Sequence, residues 1–490
     1  MEIEDKFDVP AEYQVPDLGG LPGSTEVVGP KTYQLVALYF DTPDLRLAAR
    51  GITLRRRRGG TDPGWHLKLP KAKGARQEIV HPLTRSAKIV PAELADLVLA
   101  YTRGVPLAPI AELDTRRAVT TVVNGAGIRL IEVADDRVKG TVLGGTPHVE
   151  RWREVEAEII EGDEKLLKKV GKRLTKAGAV PADAASKLAR LLGAAGAVSE
   201  QPRAEAEPGS AGEVVLSYLT AQAGALLAQD PRVRKAEPDA VHQMRVAARR
   251  LRSALKSFKT IVKGTENVQE ELKWLGGVLG EARDLEVVRD RFASRLDALD
   301  GALIVGPVRT RLSSDLLDDE HEALDRIRDV LGGERYFALL DALDDLVATP
   351  VLTKAAREPA GTLDAVAAKS WRRVTRAYGA AQAKEDAAER EHAMHDVRKA
   401  AKRARYTAEV IGMTRMAKLA EAVQEVLGTH MDGVVAQERL AAEAGNARRA
   451  GEDTFTYGVL TGLERAGAER AHEEFPRVWE ETSEAVARLL

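Results

Sequence analysis

Charged residues alternate along several short segments in the first part of the chain. Glu2, Glu4 and Lys6 are spaced two apart, as are Arg55 and Arg57. In a β-strand, residues two apart point to the same face, so each segment would present its charges together. The same spacing occurs in three more groups, which are His66 and Lys68, Arg76 and Glu78, and Glu154, Glu156 and Glu158.

The charges are also segregated by sign, and this segregation indicates a ligand. For one strand alone, a solvated polar face is the ordinary explanation. Five strands with grouped carboxylates and grouped cations would repel one another strongly if their charged faces converged, unless a ligand neutralised them. Carboxylates favour Mg²⁺ or Mn²⁺, and arginine and lysine favour phosphate. The pattern therefore predicts a site for a chain of phosphates together with a divalent metal ion.

The segments that carry these charges have strand character and are separated by Gly, Pro and Asp. We predict strands at 33–40, 52–57, 65–69, 78–80, 118–123, 128–133 and 154–160. Asn124-Gly125 favours a hairpin turn. Helices are predicted at 164–177 and near 186–192, after the last strand.

These segments together resemble the CYTH family, the triphosphate tunnel metalloenzymes. The resemblance starts with Glu2-x-Glu4-x-Lys6 and covers residues 1–195. Further matching segments follow in the family's order, namely Tyr39-Phe40-Asp41-Thr42, Leu54-Arg55-x-Arg57, Trp65-x-Leu67-Lys68, Arg76-x-Glu78, Arg116, Asp136, Glu154-x-Glu156-x-Glu158 and Ser186-Lys187. The resemblance implies an eight-stranded antiparallel β tunnel barrel that binds triphosphate with metal and cleaves or rearranges it.

The resemblance also implies a role for individual residues. Glu4 and Lys6 would be catalytic. The metal-binding residues, for Mg²⁺ or Mn²⁺, would be Glu2, Glu4, Asp136, Glu154, Glu156 and Glu158. The phosphate ligands would be Lys6, Arg55, Arg57, Lys68, Arg76, Arg116 and Lys187. One departure from the family pattern is Asp114, which stands where a lysine is often found two residues before the Arg116 equivalent.

The second part of the chain has helical spacing almost throughout. We predict a linker at 196–212 and an all-α bundle at 213–490, so the fold class is α+β and multidomain. The segment His242–Arg252 returns 153 positions later as His395–Arg405, with six of eleven residues identical. Each copy is followed by a similar Leu-Gly element, at 279–280 and at 427–428. The bundle is therefore predicted to consist of two related halves.

Each copy of this repeat places basic residues on one helical face. Offsets of 3, 7, 10 and 14 stay on the same side of a helix. For one such stripe, solvation or ion pairs with acidic neighbours is the default explanation. Two copies favour an anion-binding cleft between two helices. The residues concerned are His242, Arg245, Arg249, Arg252 and Lys256 in the first copy, and His395, Arg398, Lys402 and Arg405 in the second. The repeat resembles the CHAD family, which implies binding of inorganic polyphosphate without catalysis.

Composition narrows the class of protein. The absence of cysteine excludes disulfides and thiol catalysis. The net charge of −2 excludes a globally basic nucleic-acid binder, and an aromatic content of 4% disfavours stacking on single strands. The start of the chain has no apolar signal segment, and the apolar run at 35–40 is far too short to cross a bilayer. We therefore expect a cytoplasmic protein without membrane contact.

The leading hypothesis is a metal-dependent inorganic triphosphatase with an attached polyphosphate-binding bundle. A second enzyme hypothesis keeps the fold and changes the substrate to thiamine triphosphate, or to ATP for cyclisation. A third is a non-catalytic polyphosphate-binding scaffold, and a fourth is nucleic-acid binding through the basic stripes. Binding a polyanion alone would not need so many carboxylates, which argues against the third.

Overall fold

The computed structural model describes residues 3–70, 76–144, 148–184, 186–196 and 204–490, with the backbone alone at residue 315. The chain divides into two compact units, Met1–Pro202 and Arg203–Leu490. The first unit contains an antiparallel sheet with short helices, and the second is helical.

The sheet of the first unit is built from long strands joined mainly by hairpins. Its strands are β1 (Glu4–Asp8), β2 (Glu26–Asp41), β3 (Thr53–Arg58), β4 (Gly64–Pro70), β5 (Arg76–His81), β6 (Ala108–Val123), β7 (Arg129–Val142), β8 (Val149–Ile159) and β9 (Val180–Pro181). They lie in the order β5-β4-β3-β2-β6-β7-β8-β1-β9, and all pairs are antiparallel. The hairpin predicted at Asn124-Gly125 joins β6 to β7.

The prediction of a closed eight-stranded barrel is corrected by the sheet that the described residues form. This sheet is open and nine-stranded, and its edge strands β5 and β9 do not pair with each other. Register shifts at Val28/Lys31 and Tyr39/Phe40 interrupt the ladder between β2 and β6. Such irregularities bend a strand and increase its twist. The sheet consequently curves, and strands β1 to β8 all contribute side chains to one cavity.

A glycine makes one of the tight turns possible. Gly59 follows β3 with φ of 79°, and a Cβ added there would lie 2.0 Å from the carbonyl oxygen of Gln34. Only glycine avoids both the unfavourable φ and this clash. The turn returns the chain to β4 so that the charged residues of β3 and β4 face the same cavity.

Helices pack against both faces of the sheet, and one of them lies beside this cavity. The unit contains α1 (Ala92–Leu97), α2 (Leu99–Thr102), α3 (Glu164–Lys176) and α4 (Lys187–Ala194). Helix α3 begins at the Asp163 cap, whose carboxylate accepts a hydrogen bond from Leu166 N at 2.7 Å, and its leucines pack on β1, β7 and β8. Both predicted helices of this part of the chain are therefore present.

Helix α4 is fixed by its cap and by one leucine. The Ser186 hydroxyl accepts a hydrogen bond from Ala189 N at 3.1 Å. Leu191 is fully buried, and a Cβ added at Gly140 of β7 would lie 2.9 Å from its Cδ1. The absence of a side chain at Gly140 lets α4 lie close to the sheet, and this position fixes Lys187 at the start of the helix.

The second unit consists of α5 (Ala211–Arg234), α6 (Ala240–Ser257), α7 (Glu266–Asp297), α8 (Val308–Thr310), α9 (Leu316–Leu331), α10 (Glu334–Ala348), α11 (Asp364–Gln382), α12 (Ala387–Val410), α13 (Thr414–Arg449) and α14 (Phe455–Ala487), with the two-residue strands β10 (Val262–Lys263) and β11 (Val351–Leu352). Helices α6 and α12 carry the two copies of the basic repeat and pack against each other. The helix α5 starts inside the predicted linker, because Ser210 is its buried N-cap.

One helix of the described residues is long and apolar enough to cross a membrane, judged by length and composition. It is α5, with a mean hydropathy of 1.2 in its most apolar window. Core helices of other proteins share these properties. Leu219 and Leu226 of α5 are fully buried inside the helical unit.

Candidate functional site

The curved sheet encloses a cavity of about 350 Å³, here called the sheet cavity. It collects most of the charged residues that the sequence singled out, namely Glu4, Lys6, Arg55, Arg57, Lys68, Arg76, Glu156, Glu158 and Lys187. Glu2 lies outside the described residues. The charged faces of separate strands therefore converge on one cavity, as the alternation predicted.

Strand register explains why the carboxylates are neighbours. Glu4 of β1 lies opposite Glu158 of β8, and Glu158 lies opposite Glu132 of β7. Two residues before Glu158 on β8, Glu156 lies opposite Lys6. Side chains that are directly opposite on antiparallel strands have Cβ atoms about 4.5–5.5 Å apart. One side of the cavity is therefore a row of carboxylates from three adjacent strands.

Behind this row, the ammonium group of Lys187 lies among three buried carboxylates. Its Nζ is 3.0 Å from Asp136 Oδ2, 2.7 Å from Glu154 Oε1 and 2.7 Å from Glu156 Oε1. The three carboxylates, here called the inner triad, are the one group of at least three potential ligands within 4.8 Å of one another in the described part of the chain. The inner triad could hold a metal ion, and in this structure a lysine of the same chain neutralises it.

Arg117 neutralises the inner triad from a second side. Its Nε is 2.8 Å from Asp136 Oδ1, and its Nη2 is 2.6 Å from Asp136 Oδ2 and 2.7 Å from Glu156 Oε2. Burial alone would raise the pKa of Glu156, but Lys187, Lys6 and Arg117 hold that pKa well below its usual range. The same ion pairs raise the pKa of Lys187 against the effect of its own burial. Both partners therefore stay charged at neutral pH.

The carboxylates that line the cavity are a second place where a divalent ion could bind, although in the described residues the inner triad alone is grouped within 4.8 Å. Glu4, Glu132 and Glu158 offer hard oxygen ligands that line the cavity itself. Mg²⁺ usually binds one or two carboxylates and completes its coordination with water and substrate phosphates. The inner triad offers the same chemistry only if Lys187 leaves, because the ammonium group occupies the space between the three oxygens.

The opposite side of the cavity is basic. Arg55, Arg57, Lys68 and Arg76 come from β3, β4 and β5. The Nε atoms of Arg55 and Arg57 are buried and have no hydrogen-bond partner among the described residues. Burial, followed by repulsion from Arg55 and Arg117, lowers the pKa of Arg57 to about 10. Arg57 pairs with Asp62 through Nη2, so the Nε atoms of Arg55 and Arg57 are the donors that remain for an anion.

One carboxylate, Glu78, is embedded in this basic side. It is 3.0 Å from His66 Nδ1, 3.9 Å from Arg55 Nη2 and 3.8 Å from Lys68 Nζ. Burial alone would raise the pKa of Glu78. The His66 hydrogen bond and the charges of Lys68 and Arg55 instead lower this pKa to about 2. Glu78 therefore holds the basic side chains in position while remaining ionised.

The prediction that Arg116 lines the cavity was wrong by one position along the strand. Arg116 is exposed on the opposite face of β6, and the inward residue is Arg117. Adjacent residues of a strand point to opposite faces, so an alignment error of one residue reverses the orientation. Asp136 and Glu154, which were predicted to bind metal, do not line the cavity, but with Glu156 they form the inner triad that could hold a metal ion.

Sequence reasoning missed Glu132, which completes the carboxylate row. It is the sole charged residue of 131–134, between Ile131 and Val133, so no alternating pattern marks it. Only strand pairing identifies Glu132, because it lies opposite Glu158 in the register of β7 and β8.

The helical unit contains a second site, formed between α6, α7 and α12. Two adjoining cavities of about 380 and 410 Å³ share five basic residues, and together they are called the helical cleft. The shared residues are Arg249, Arg252, Lys273, Lys399 and Lys402. The predicted residues Arg245, Lys256, His395 and Arg398 also line the cleft.

Some cations of the helical cleft are neutralised and others are not. Arg245, Lys273 and Lys399 have carboxylate partners at 3.2, 3.6 and 3.3 Å. Burial, with repulsion from Arg398 and Arg249, lowers the pKa of Lys402 to about 8. The Nε of Arg398 is buried without a hydrogen-bond partner in the described residues. Repulsion of this kind is relieved when an anion binds.

Two glycines lie beside the arginines of the repeat. A Cβ added at Gly280 of α7 would lie 3.6 Å from Arg245 Nη2, and one added at Gly428 of α13 would lie 3.0 Å from Arg398 Nη2. Each copy of the repeat thus places its first arginine over the glycine of the following helix. The glycine is needed only at Gly428, because the contact at Gly280 is of ordinary van der Waals length.

Two residues that were predicted for the helical cleft do not line it, and three residues that were not predicted do. Arg405 forms ion pairs with Glu409 at 3.0 Å and Glu421 at 2.8 Å, so its charge is already satisfied. His242 is also absent from the cleft lining. The missed residues are Lys273 of α7, and Lys399 and Arg403 of α12. The latter two lie four and eight positions after His395, outside the offsets of 3, 7, 10 and 14 that define the predicted stripe.

Comparison with known proteins agrees with this two-unit organisation. A family model of the CYTH domain matches residues 1–192, and one of the CHAD domain matches residues 217–441. Two uncharacterised proteins of Mycobacterium tuberculosis, from strains CDC 1551 and H37Rv, are each 40% identical over 509 aligned residues, which cover 100% of this chain and 97% of each relative.

Similar solved structures are more distant. PptA from Streptomyces chartreusis is 24% identical, covering 55% of this chain and 99% of that one, with a TM-score of 0.48. The CHAD domain from the plant Ricinus communis is 23% identical, covering 58% of this chain and 96% of that one, with a TM-score of 0.45. A putative adenylyl cyclase from Hippeastrum with a dominant triphosphatase activity is 18% identical, covering 41% and 98%, with a TM-score of 0.26. None of these structural matches carries a functional argument, because the superpositions are too limited.

The chain belongs to the proteins that join a CYTH domain to a CHAD domain, and this confirms the resemblance stated from the sequence. CYTH domains are typically metal-dependent triphosphatases or cyclases.

The crowding of cations in the helical cleft predicts an unusual titration of Lys402. Its midpoint should lie near pH 8, far below that of an exposed lysine. Arg398→Gln should raise the midpoint, because it removes a neighbouring positive charge. NMR of reductively methylated lysines would measure both values, with the Lys402 signal assigned by its absence in Lys402→Arg.

The exposed Lys168 on α3 serves as the internal control for this titration. A Lys402 midpoint close to the ordinary lysine value, or one unchanged by Arg398→Gln, would contradict the electrostatic account of the cleft.

Proposed function

We propose that the sheet cavity hydrolyses inorganic triphosphate in a reaction that depends on Mg²⁺ or Mn²⁺. The observation that carries this proposal is the division of one cavity of about 350 Å³ into a carboxylate row and a basic side. A ligand that satisfies both must carry dense negative charge and be accompanied by a cation. A short chain of phosphates with a divalent ion has this chemistry.

The basic side binds and orients the phosphates. Arg55 and Arg57 have buried donors without partners, which suits bidentate contact with phosphate oxygens. Lys68 adds a third cation from the neighbouring strand. Preorganised cations of this kind stabilise the charge that develops during phosphoryl transfer.

The carboxylate row would hold the metal ion through Glu4 and Glu158, with Glu132 beside them. A bound Mg²⁺ or Mn²⁺ polarises phosphoryl oxygens and offsets the charge of the transition state. Lys6 lies 2.9 Å from Glu4 Oε1 and also pairs with Glu156, so it fixes the orientation of Glu4. Glu4 is thereby placed to orient a water molecule toward the terminal phosphate.

We propose that the helical cleft binds inorganic polyphosphate. Its cations are arranged along two packed helices, and burial with mutual repulsion leaves Lys402 only partly protonated near pH 8. An extended polyanion would relieve this repulsion along the whole cleft. The proposal needs no catalytic group in the helical unit.

A second candidate substrate is an organic triphosphate such as thiamine triphosphate or ATP. A further cavity of about 230 Å³ shares Arg57, Arg117 and Glu132 with the sheet cavity. Its wall includes Tyr33 and Val119 and is therefore partly apolar. An organic group attached to the phosphates would find apolar contacts there.

Hydrolysis in the sheet cavity predicts a strong effect of Glu4→Gln. Removing this carboxylate should lower kcat for inorganic triphosphate by about 100-fold or more, because it weakens metal binding and the orientation of water. The matched control is Asp5→Asn, since Asp5 lies on the opposite face near Gly171 of α3 and should retain activity within about twofold. Phosphate release with added Mg²⁺ or Mn²⁺ measures both variants.

The same assay should be run with thiamine triphosphate, ATP and long-chain polyphosphate, and in excess chelator. Preference for inorganic triphosphate supports the first candidate, whereas preference for an organic triphosphate supports the second. Full activity in chelator would rule out the metal-dependent mechanism.

Polyphosphate binding in the helical cleft predicts both a mutational effect and a pH effect. The double variant Arg249→Gln/Lys402→Gln should bind long-chain polyphosphate about tenfold more weakly or worse, with a shallower dependence on salt. Wild-type affinity should fall as the pH rises through about 8, because Lys402 loses its proton in the free protein and must regain it in the complex.

Arg405→Gln is the matched control for polyphosphate binding. Its guanidinium is already paired with Glu409 and Glu421, so its loss should change the affinity by less than about twofold. Isothermal titration calorimetry in buffers of different ionisation enthalpy would report the proton uptake. Equal losses in the double variant and in Arg405→Gln would mean that net charge, and not the cleft, controls binding.

A further inference from the structure

The outer face of the sheet carries a second group of cations, on the side opposite the sheet cavity. Arg116 of β6 lies opposite Arg137 of β7, and Lys139 of β7 lies opposite Arg151 of β8. All four are exposed, and together they are called the outer basic face. Neighbouring strands lie about 4.8 Å apart, and same-face residues on one strand lie about 6.7 Å apart. Four positive charges are therefore gathered on a small area of sheet.

These four cations lack the partners that neighbouring arginines have. Arg153 forms a bidentate ion pair with Asp135 at 2.8 Å and 2.8 Å. Arg190 pairs with Asp8, and its Nε is 3.3 Å from Glu150 Oε1. In contrast, no ion pair or hydrogen bond joins the side chain of Arg116, Arg137, Lys139 or Arg151 to any other described residue.

Like charges directly opposite on antiparallel strands destabilise a sheet. Here two such pairs are adjacent, and Asp114, which lies opposite Lys139 in the β6–β7 register, accepts a hydrogen bond from the Gln34 amide and forms no ion pair in the described residues. One carboxylate beside four cations leaves the area strongly positive. Sheet stability does not account for this arrangement.

The outer basic face is also concave. All four cations line a groove of about 650 Å³, together with Asp114, Arg153 and Trp152. A groove lets several cations contact one ligand at once, which a flat surface does not. Trp152 is covered, because it is buried and Arg190 lies 5.1 Å above its ring. It therefore offers no platform on which a nucleic-acid base would stack.

We propose that the outer basic face binds a chain of phosphate groups of the inorganic polyphosphate kind. Guanidinium groups pair with phosphate in bidentate fashion, and the repeated negative charge of the chain matches cations spread over three strands. The groove supplies cations without an open aromatic ring, so it recognises the phosphates and not an attached base. This site is separate from the sheet cavity, because its residues point to the other face of the same strands, and it does not depend on hydrolysis in that cavity.

The test uses the full chain carrying Arg249→Gln/Lys402→Gln, which weakens the helical cleft. Into this background the substitutions Arg116→Gln, Arg137→Gln, Lys139→Gln and Arg151→Gln are added together. Binding of long-chain polyphosphate is measured over a range of salt concentrations. The residual affinity should fall by about tenfold or more, and the salt dependence should become shallower, because up to four phosphate contacts are lost.

The matched control removes the same charge from another surface of the same unit. Lys165, Lys168, Lys169 and Lys172 are exposed on α3, and their joint replacement by glutamine should change the affinity by less than about twofold. Far-UV circular dichroism and the thermal midpoint establish that both quadruple variants are folded. A matched single-stranded RNA should compete weakly with polyphosphate.

Three results would overturn the proposal. The first is residual polyphosphate affinity that does not respond to the four outer substitutions. The second is an equal loss in the α3 control, which would show a general charge effect. The third is a preference for RNA at the outer basic face, which would identify a nucleic-acid surface instead.

Discussion

The arrangement of the sheet unit depends on the ion pairs between Lys187 and the inner triad of Asp136, Glu154 and Glu156. Three buried carboxylates within 4.8 Å of one another would repel strongly, and leaving one of them unpaired would be costly. The ammonium group supplied by α4, together with Arg117, neutralises them. The packing of Leu191 against Gly140 holds α4 in the position that makes this possible.

This constraint divides the carboxylates by function. Those of the inner triad hold Lys187 and Arg117, which are thereby fixed at the wall of the sheet cavity. Glu4, Glu132 and Glu158 remain at the cavity surface, where a metal ion and phosphates would meet them. The helical unit presents a contrasting case, because its cleft gathers many cations and only one carboxylate, Glu270, among its lining residues.

Much of the sheet cavity could be predicted from the sequence because a strand alternates its faces. The two-residue spacing predicted which charges share a face, and Glu4, Lys6, Arg55 and Lys68 do line one cavity. The spacing could not predict which of Arg116 and Arg117 points into the cavity, because both residues are arginine and no alternation distinguishes them. Glu132 stands between apolar residues, and only its pairing with Glu158 reveals its position. Closure of the sheet was implied by the family resemblance and is not found in the described strands, whose edges β5 and β9 do not pair.

The basic repeat predicted the pairing of α6 with α12 but not the full cleft. Offsets along one helix identify a face, and Lys273 belongs to a different helix, α7. Arg405 matched the stripe by spacing, yet Glu421 of α13 lies within 2.8 Å of it. Spacing therefore identifies which side chains share a face, whereas tertiary packing determines which of them keep an unneutralised charge.

The most direct test of this account is to locate the metal ion and the phosphates together. Crystals soaked with Mn²⁺ and a non-hydrolysable imidotriphosphate would show the metal by anomalous scattering. The account predicts manganese at Glu4 and Glu158, phosphates on Arg55, Arg57 and Lys68, and Lys187 still within the inner triad. Manganese between Asp136, Glu154 and Glu156 with Lys187 displaced, or imidotriphosphate bound only outside the sheet cavity, would contradict it.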